Sequence, residues 1–505
     1  SKTRNLVELL ANRDLYPKGD IPQEIIFQLD RLRRSIPSLE RQLQVVIERL
    51  STTTSRQEQA QQHLLEESQR QLQQELQSSR QQLDEVLDLI KPIDSSFSLT
   101  QRVEQIAFGD IQSLMEDRTA AIEWYLTEDK ILTFILTANS LHPLVEQASV
   151  RELEALGDWS NDYFRVYLQK EEEQWKTNLP SNLEKLAEIL NIDRILARID
   201  DIFDKQGEKC DQLILIPHRI LHLFPLHAMP SANGDLLLER FPRGLSYAPS
   251  IQLLQLSQTW NRPSLKHFFS VKNPTEDLSF ADIEVNAIRR YFHPNDDVIE
   301  KQAASKTALT QERLAQTNVA HFSCHGYFNF ETPRQSALVL AGGKSRDARS
   351  INLEKCLTLG DIFALDLGQC RLTTLSACET GLTDFNSLGD EYIGLPSGFL
   401  YAGSPSVVSS LWTVDDLSTA FLTIQFYKNL QDTQQYPSVA IALNQAQLWL
   451  RNLTKKELET WITQSQLNLA PAVKMSLNRR LKKMSDDAQP FESPFHWAAF
   501  CAIGQ

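Results

Sequence analysis

The chain has 505 residues, 42% hydrophobic and 23% charged, an ordinary balance for folded globular protein and enough length for two or three domains with large cores. Its formal charge of −14 argues against a nucleic-acid surface, which needs clustered Lys and Arg to displace counterions, and favours basic protein partners. The six cysteines, Cys210, Cys324, Cys356, Cys370, Cys378 and Cys501, form no CxxC pair and no compact spacing, so no zinc site, disulfide framework or cofactor is implied and a reducing cytoplasm is the expected compartment.

The chain opens on Ser1-Lys2-Thr3-Arg4 with no charged-then-apolar signal behind it, which reads as an excised piece. Residues 1–95 read as a polar helical arm. Leu29, Leu32, Ile36, Leu39, Leu43, Val46 and Leu50 recur at gaps of three and four, the spacing of a coiled-coil seam, and Pro37 predicts a kink or a restart. A Ser/Thr cluster from Ser51 to Ser55 separates this from a Gln-rich helix with apolar positions Leu65, Leu72, Leu76, Leu83, Val86 and Ile90. An αα-hairpin within one chain and an intermolecular coiled coil satisfy both seams equally. The arm is either a structural spacer or a docking element for an activating protein partner, and it carries no catalytic group.

From Pro92 the texture changes. Thr119 to Tyr125 and Lys130 to Thr137 are β-branched, apolar runs around Thr127-Glu128-Asp129, predicting a β-hairpin. Amphipathic helices are predicted over about 151–176 and 181–206. Gln212 to His218 and Ile220 to Leu226 predict another strand pair, and a domain boundary is placed near Arg262-Pro263-Ser264. This gives residues 96–263 as an α/β region and residues 264–505 as the catalytic domain.

In the last region strands and helices alternate, the pattern of an α/β unit. His267 to Val271, Asn318 to Ser323, Ser336 to Leu340, Arg371 to Leu375 and Ser404 to Leu411 read as strands. Phe280 to Phe292, Leu417 to Leu430 and Ser438 to Asn452 read as helices, and Phe495 to Ile503 closes the sheet. Tyr392 to Trp412 carries no charge over 21 residues, but ten of these are Gly, Pro or Ser, which excludes a spanning helix and favours a buried helix, turn and strand.

Two residues stand at strand exits, where open α/β sheets place reactive groups. His325 follows Val319-Ala320-His321-Phe322-Ser323-Cys324, and Cys378 follows Leu372-Thr373-Thr374-Leu375-Ser376-Ala377, each expected in a small-residue turn on neighbouring central strands. A cysteine attacks an amide carbonyl as the thiolate, so it needs an imidazole to take its proton. Gly326 lets backbone approach a substrate oxygen, and the N–H groups of Gly326 and Cys378 are the expected oxyanion hole. His321 is expected to face the interior, and Cys324 and Cys370 to be small buried hydrophobes.

His325-Gly326, Ser376-Ala377-Cys378-Glu379-Thr380-Gly381, Gly389-Asp390-Glu391, Phe399-Leu400-Tyr401-Ala402-Gly403, Val407-Val408-Ser409-Ser410-Leu411-Trp412 and Pro494-Phe495-His496-Trp497-Ala498-Ala499-Phe500 together resemble a CHAT domain. That family is caspase-like, occurs with tetratricopeptide repeats and is more distantly similar to separase and the gingipains. The resemblance runs over about residues 110–505 and implies a caspase-hemoglobinase-like sheet flanked by helices, a His325/Cys378 dyad and endopeptidase activity. It would make residues 96–263 a pseudo-protease subdomain. His upstream of Cys by about 50 residues agrees with the caspase order. Ser376-Ala377-Cys378-Glu379-Thr380 departs from Gln-Ala-Cys-x-Gly, so aspartate specificity is not carried over, and no 34-residue repeat is found. The Gln-rich arm suggests kinship with the family's cyanobacterial founding member, a regulator of heterocyst formation.

Asp415 and Asp416 lie just past the Ser404 to Leu411 strand. Two carboxylates there are expected to pair with a substrate Arg or Lys, as the resemblance to separase and gingipains also implies. Asp416 could instead cap the following helix, and Asp390 and Glu391 are the next candidates. The leading reading is a cysteine endopeptidase cutting a protein after a basic residue, with no nucleic acid or membrane involved. The competing one is a catalytically silent caspase-like scaffold recruiting partners through the arm. A thiol hydrolase or acyltransferase is disfavoured because neither Gly-x-Cys-x-Gly nor Cys-Gly-Ser-Cys-Trp occurs.

Overall fold

The computed structural model describes residues 17, 20–52, 59–93, 97, 106–140, 142–168, 172–260, 262, 265–329, 332, 335–344, 351–377, 380, 394–467, 469 and 471–505. They fall into two compact units that divide between Gln105 and Ile106. In the first, helices α1 (Gln23–Thr52) and α2 (Gln59–Ile90) pack on each other. Leu29 and Leu32 of α1 meet Val86, Leu87 and Ile90 of α2, and Phe97 joins the cluster. The start of one helix therefore lies on the end of the other, an antiparallel hairpin that closes the seam within one chain. Helix α1 continues through Pro37. Proline removes one helical hydrogen bond, and the buried Leu29 and Leu32 before it, with the half-buried Leu39 and Leu43 after it, hold the turn together.

The second unit is an α/β structure. Its strands are β1 (Thr119–Leu126), β2 (Ile131–Thr137), β3 (Leu144–Ala148), β4 (Gln212–Ile216), β5 (Leu245–Tyr247), β6 (Phe268–Lys272), β7 (Asp296–Glu300), β8 (Val319–Ser323), β9 (His325–Tyr327), β10 (Ala337–Val339), β11 (Leu357–Thr358), β12 (Leu372–Ser376), β13 (Ser406–Ser410) and β14 (Phe500–Gly504). Eleven form one sheet in the order β3-β2-β1-β4-β5-β14-β13-β12-β8-β6-β7, and β11-β10-β9 form a second, small one. The large sheet contains two parallel blocks, β1-β4-β5-β14 and β13-β12-β8-β6-β7, joined antiparallel where β13 meets β14, and β2 and β3 extend the first block antiparallel at its edge. Strands from both sides of Arg262-Pro263-Ser264 thus share one sheet, and β14, at the end of the chain, links the two blocks.

Every residue of β6, β8, β12 and β13 is buried, as expected for parallel strands covered on both faces. Helices α3 (Val150–Leu168), α4 (Glu172–Ile189), α5 (Ile192–Asp204), α6 (Ser279–Ile288), α7 (Asp416–Gln431), α8 (Val439–Asn452) and α9 (Pro471–Leu481) are among those that accompany the sheet. Where two helices were expected between 151 and 206 there are three. Helix α4 carries Pro180 inside it, and the break comes at Asn191, which adopts the left-handed conformation that Asn tolerates. Ile220 to Leu226, expected as a strand, forms 3₁₀ turns at Arg219–Leu223 and Leu226–Ala228. Arg219 has a positive φ there, and Pro225 has no N–H to give a ladder.

Within the second block the chain places β7 on one side of β6 and β8 on the other. The direction of winding reverses between β6 and β8, which opens a crevice at their carboxyl ends.

Candidate functional site at the carboxyl ends of β6, β8, β12 and β13

Strand β8 stops at Ser323, the chain bends at Cys324, and His325 begins β9 opposite Val339 of β10, with Gly326 opposite Leu338. A turn was expected at His325 and Gly326; pairing with β10 makes them a strand instead. Beside them, β6 runs into a loop whose first residue, Asn273, has φ 46. The Asn273 N–H donates to Ser323 O, and its Oδ1 accepts the Leu278 N–H, so the loop is tied to the end of β8. Asp277 projects from this loop onto His325, with Nε2 to Oδ1 at 2.9 Å. Thr275 Oγ1 donates to the same carboxylate, and Lys344 Nζ holds its other oxygen.

Burial works against the Asp277 charge, but the hydrogen bonds from Lys344, Thr275 and His325 outweigh it and hold the carboxyl well below the usual range. An ionised carboxylate only accepts, so His325 Nε2 donates to it. Among the described residues Nδ1 has no partner. Both side chains remain within reach of solvent, at 29% and 42% exposure. Sequence reading missed Asp277 and Lys344: a lone carboxylate on a polar loop gains meaning only when the sheet brings it to His325.

Strand β12 lies parallel to β8, with Ser376 opposite Ser323, so the strands that lead to His325 and toward Cys378 are neighbours. Cys378 lies outside the described residues, as do Asp390 and Glu391. Ala377 and Thr380, described on either side, are buried. The Ala377 carbonyl accepts from Ser410 Oγ at 2.7 Å and from Thr380 Oγ1 at 3.0 Å, which anchors both to the end of β13.

The capping part considered for Asp416 falls to Asp415. Asp415 is the N-cap of α7: Oδ1 accepts the Ser418 N–H at 3.0 Å, and Arg480 of α9 pairs with the carboxylate at 3.3 Å. A carboxylate so committed has little left to offer a substrate. Asp416 is the first residue of α7 and exposed. Although open to solvent, it is crowded closely enough that burial, and next the Asp415 charge, raise its pKa, while His325 acts in the opposite sense. A carboxylate whose charge is disfavoured in this way gains most from an incoming cation. The stretch leading to it is fixed from the other half of the unit, since the Thr413 N–H donates to Tyr167 Oη at 3.1 Å and the Trp412 ring stands 5.3 Å from Trp175.

A Cys/His contact elsewhere in the unit is buried. Cys501 Sγ lies 4.0 Å from His227 Nδ1, but burial pushes the thiol up to about 12 and the imidazole down to about 3, leaving no thiolate. Cys324 and Cys370 are buried as expected, and His321 faces the interior. Among the described residues no cluster could hold a metal ion and no helix is long and apolar enough to cross a membrane.

Among solved structures, the chain is similar to separase from Saccharomyces cerevisiae in its complex with securin. Identity is 12% at a TM-score of 0.43 over 67% of this chain and 29% of that one, and 10% at 0.45 over 85% and 34% in a second structure. It thus spans only about a third of the separase chains it matches. It is also similar to Porphyromonas gingivalis RgpB in a complex of its pro- and mature domains, at 10% identity and a TM-score of 0.38 over 62% of this chain and 68% of that one. No curated protein matches in a sequence comparison. The CHAT domain matches residues 181–505, more than half of the chain, which therefore belongs to the CHAT-domain family.

Proposed function

We propose that this chain is a cysteine endopeptidase that cuts a protein substrate after Arg or Lys, with His325 and Cys378 as the reacting pair. The observation that carries the reading is the His325–Asp277 hydrogen bond across the β6/β8 crevice, and membership of the CHAT-domain family supports it. Asp277 keeps the proton on Nε2, so Nδ1 accepts the thiol proton of Cys378. The thiolate sulfur then bonds to the scissile carbonyl carbon, whose oxygen takes the negative charge and rests against backbone N–H groups, Gly326 and Cys378 being the candidates. As the C–N bond breaks, the imidazolium returns the proton to the leaving amine. Water, deprotonated by the same imidazole, splits the thioester to give a carboxylic acid and free thiol.

Asp416 is the group best placed to receive the substrate's basic side chain, and an Arg or Lys there would neutralise a charge that its surroundings disfavour. Residues 1–95 offer a surface for an activating partner. Fluorogenic peptides ending in Arg, Lys, Asp or Leu before the reporter test the assignment. The expected result is cleavage of the Arg and Lys peptides by the full chain and none by Cys378→Ala. A reactive Cys378 with no cleavage of any peptide would favour the silent-scaffold reading.

A further inference from the structure

Beneath the crevice lies a row of buried polar side chains that the reaction does not use. Ser270, His321 and Thr374 stand side by side in register across β6, β8 and β12. These are the three strands that lead to Asp277, His325 and Cys378. Side chains alternate along a strand, so His321 and Ser323 follow one face of β8, which ends two residues before His325. Glu284 of α6 reaches into this row, with Oε1 3.4 Å from His321 Nε2, the two side chains 3% and 0% exposed. Its Oε2 accepts from Ser323 Oγ at 2.8 Å. His321 Nδ1 lies 3.2 Å from Tyr427 Oη of α7, whose hydroxyl donates to Thr374 Oγ1 at 2.9 Å.

Tyr427 gives its proton to Thr374, so toward His321 its oxygen accepts and Nδ1 donates. Glu284 Oε1 and His321 Nε2 lie close together but make no hydrogen bond with each other or with another described group, so the links that join the elements are Glu284 to Ser323 and His321 through Tyr427 to Thr374. Burying such polar groups is costly, and apolar side chains of similar size would hold the same elements at least as firmly. What the pair does that apolar packing would not is fix α6, β8 and, through Tyr427, β12 in one register just below the crevice. We propose that Glu284 and His321 form a buried brace that positions the reacting pair, Glu284 being a positioning residue for His325 and Cys378 rather than a prop for the fold. This rests on the peptidase reading of those two residues.

The test compares full-length wild type with Glu284→Gln and with the apolar pair Glu284→Leu/His321→Leu. Melting temperature, kcat and KM on an Arg peptide, and the rate of Cys378 carboxymethylation by iodoacetamide across pH are measured for each. Expected are unchanged melting temperatures, a kcat lower by about tenfold or more, KM within about twofold, and slower carboxymethylation with a displaced pH profile. Wild-type rates in either folded variant would overturn the proposal. So would unfolding of the apolar pair, which would make the brace structural, and that variant decides should Glu284→Gln fail to fold. Iodoacetamide needs no peptide substrate, so a wild type that is alkylated but cleaves nothing refutes the peptidase reading while the alkylation rates still test the brace.

Discussion

Asp277 is the side chain that holds the His325 ring, and the peptidase reading makes a sharp demand on it. Opposite an imidazole, a carboxylate fixes the tautomer and stabilises the imidazolium as it forms. Asp277→Asn should therefore fold normally and lose roughly 10²- to 10³-fold in kcat, which steady-state assays and a thermal melt would separate. Its carboxyl is held well below the ordinary range. A depressed carboxyl contributes its interaction above the unfolded value and loses it only as pH falls through the folded one. Acid loss of activity above about pH 4 should thus come from another group, and the same acid limb should persist in Asp277→Asn. The cysteines give a further check. Burial raises Cys210 and Cys501 to about 12 and also lifts Cys356 and Cys370. Mass spectrometry after brief iodoacetamide treatment near neutral pH should find Cys378 modified first; equal modification of Cys501 would contradict the burial argument.

At the scale of elements, the two neighbouring aspartates should separate cleanly. Asp415→Ala removes the N-cap of α7 and the partner of Arg480, and should cost about 1 kcal/mol of stability while leaving the preference for Arg. Asp416→Ala should leave the melting temperature alone and raise KM for Arg peptides about tenfold. The reverse pattern would return the specificity role to Asp415. These assignments also mark what the sequence made legible. Strands β6, β8, β12 and β13 were readable because strands buried on both faces are written as apolar runs. Strand β9 was not, because His325-Gly326-Tyr327 becomes a strand only through its pairing with β10. Ile220 to Leu226 was misread because a short apolar run has no periodicity of its own to distinguish strand from 3₁₀ turn. Asp277, 48 positions from His325, belonged to no motif, and which of two adjacent aspartates caps α7 is decided by where the helix starts.

At the scale of the whole molecule, β14 is the strand on which the large sheet depends. Strand β14 pairs with β13 on one side and β5 on the other, so its removal would break the large sheet in two and expose buried strand faces. Deleting residues 500–505 should abolish cooperative unfolding. Helices α1 and α2 bury their own seam, so residues 106–505 should retain a cooperative melt and an alkylatable Cys378. Residues 106–505 then form an α/β unit in which both halves of the sheet hold the crevice. The most direct test is to incubate an unbiased peptide library with the full-length protein and with Cys378→Ala, and to read the cut sites by mass spectrometry. Cuts after Arg or Lys with the wild type and none with Cys378→Ala are expected. Cuts after Asp, or the same cuts with both proteins, would contradict it.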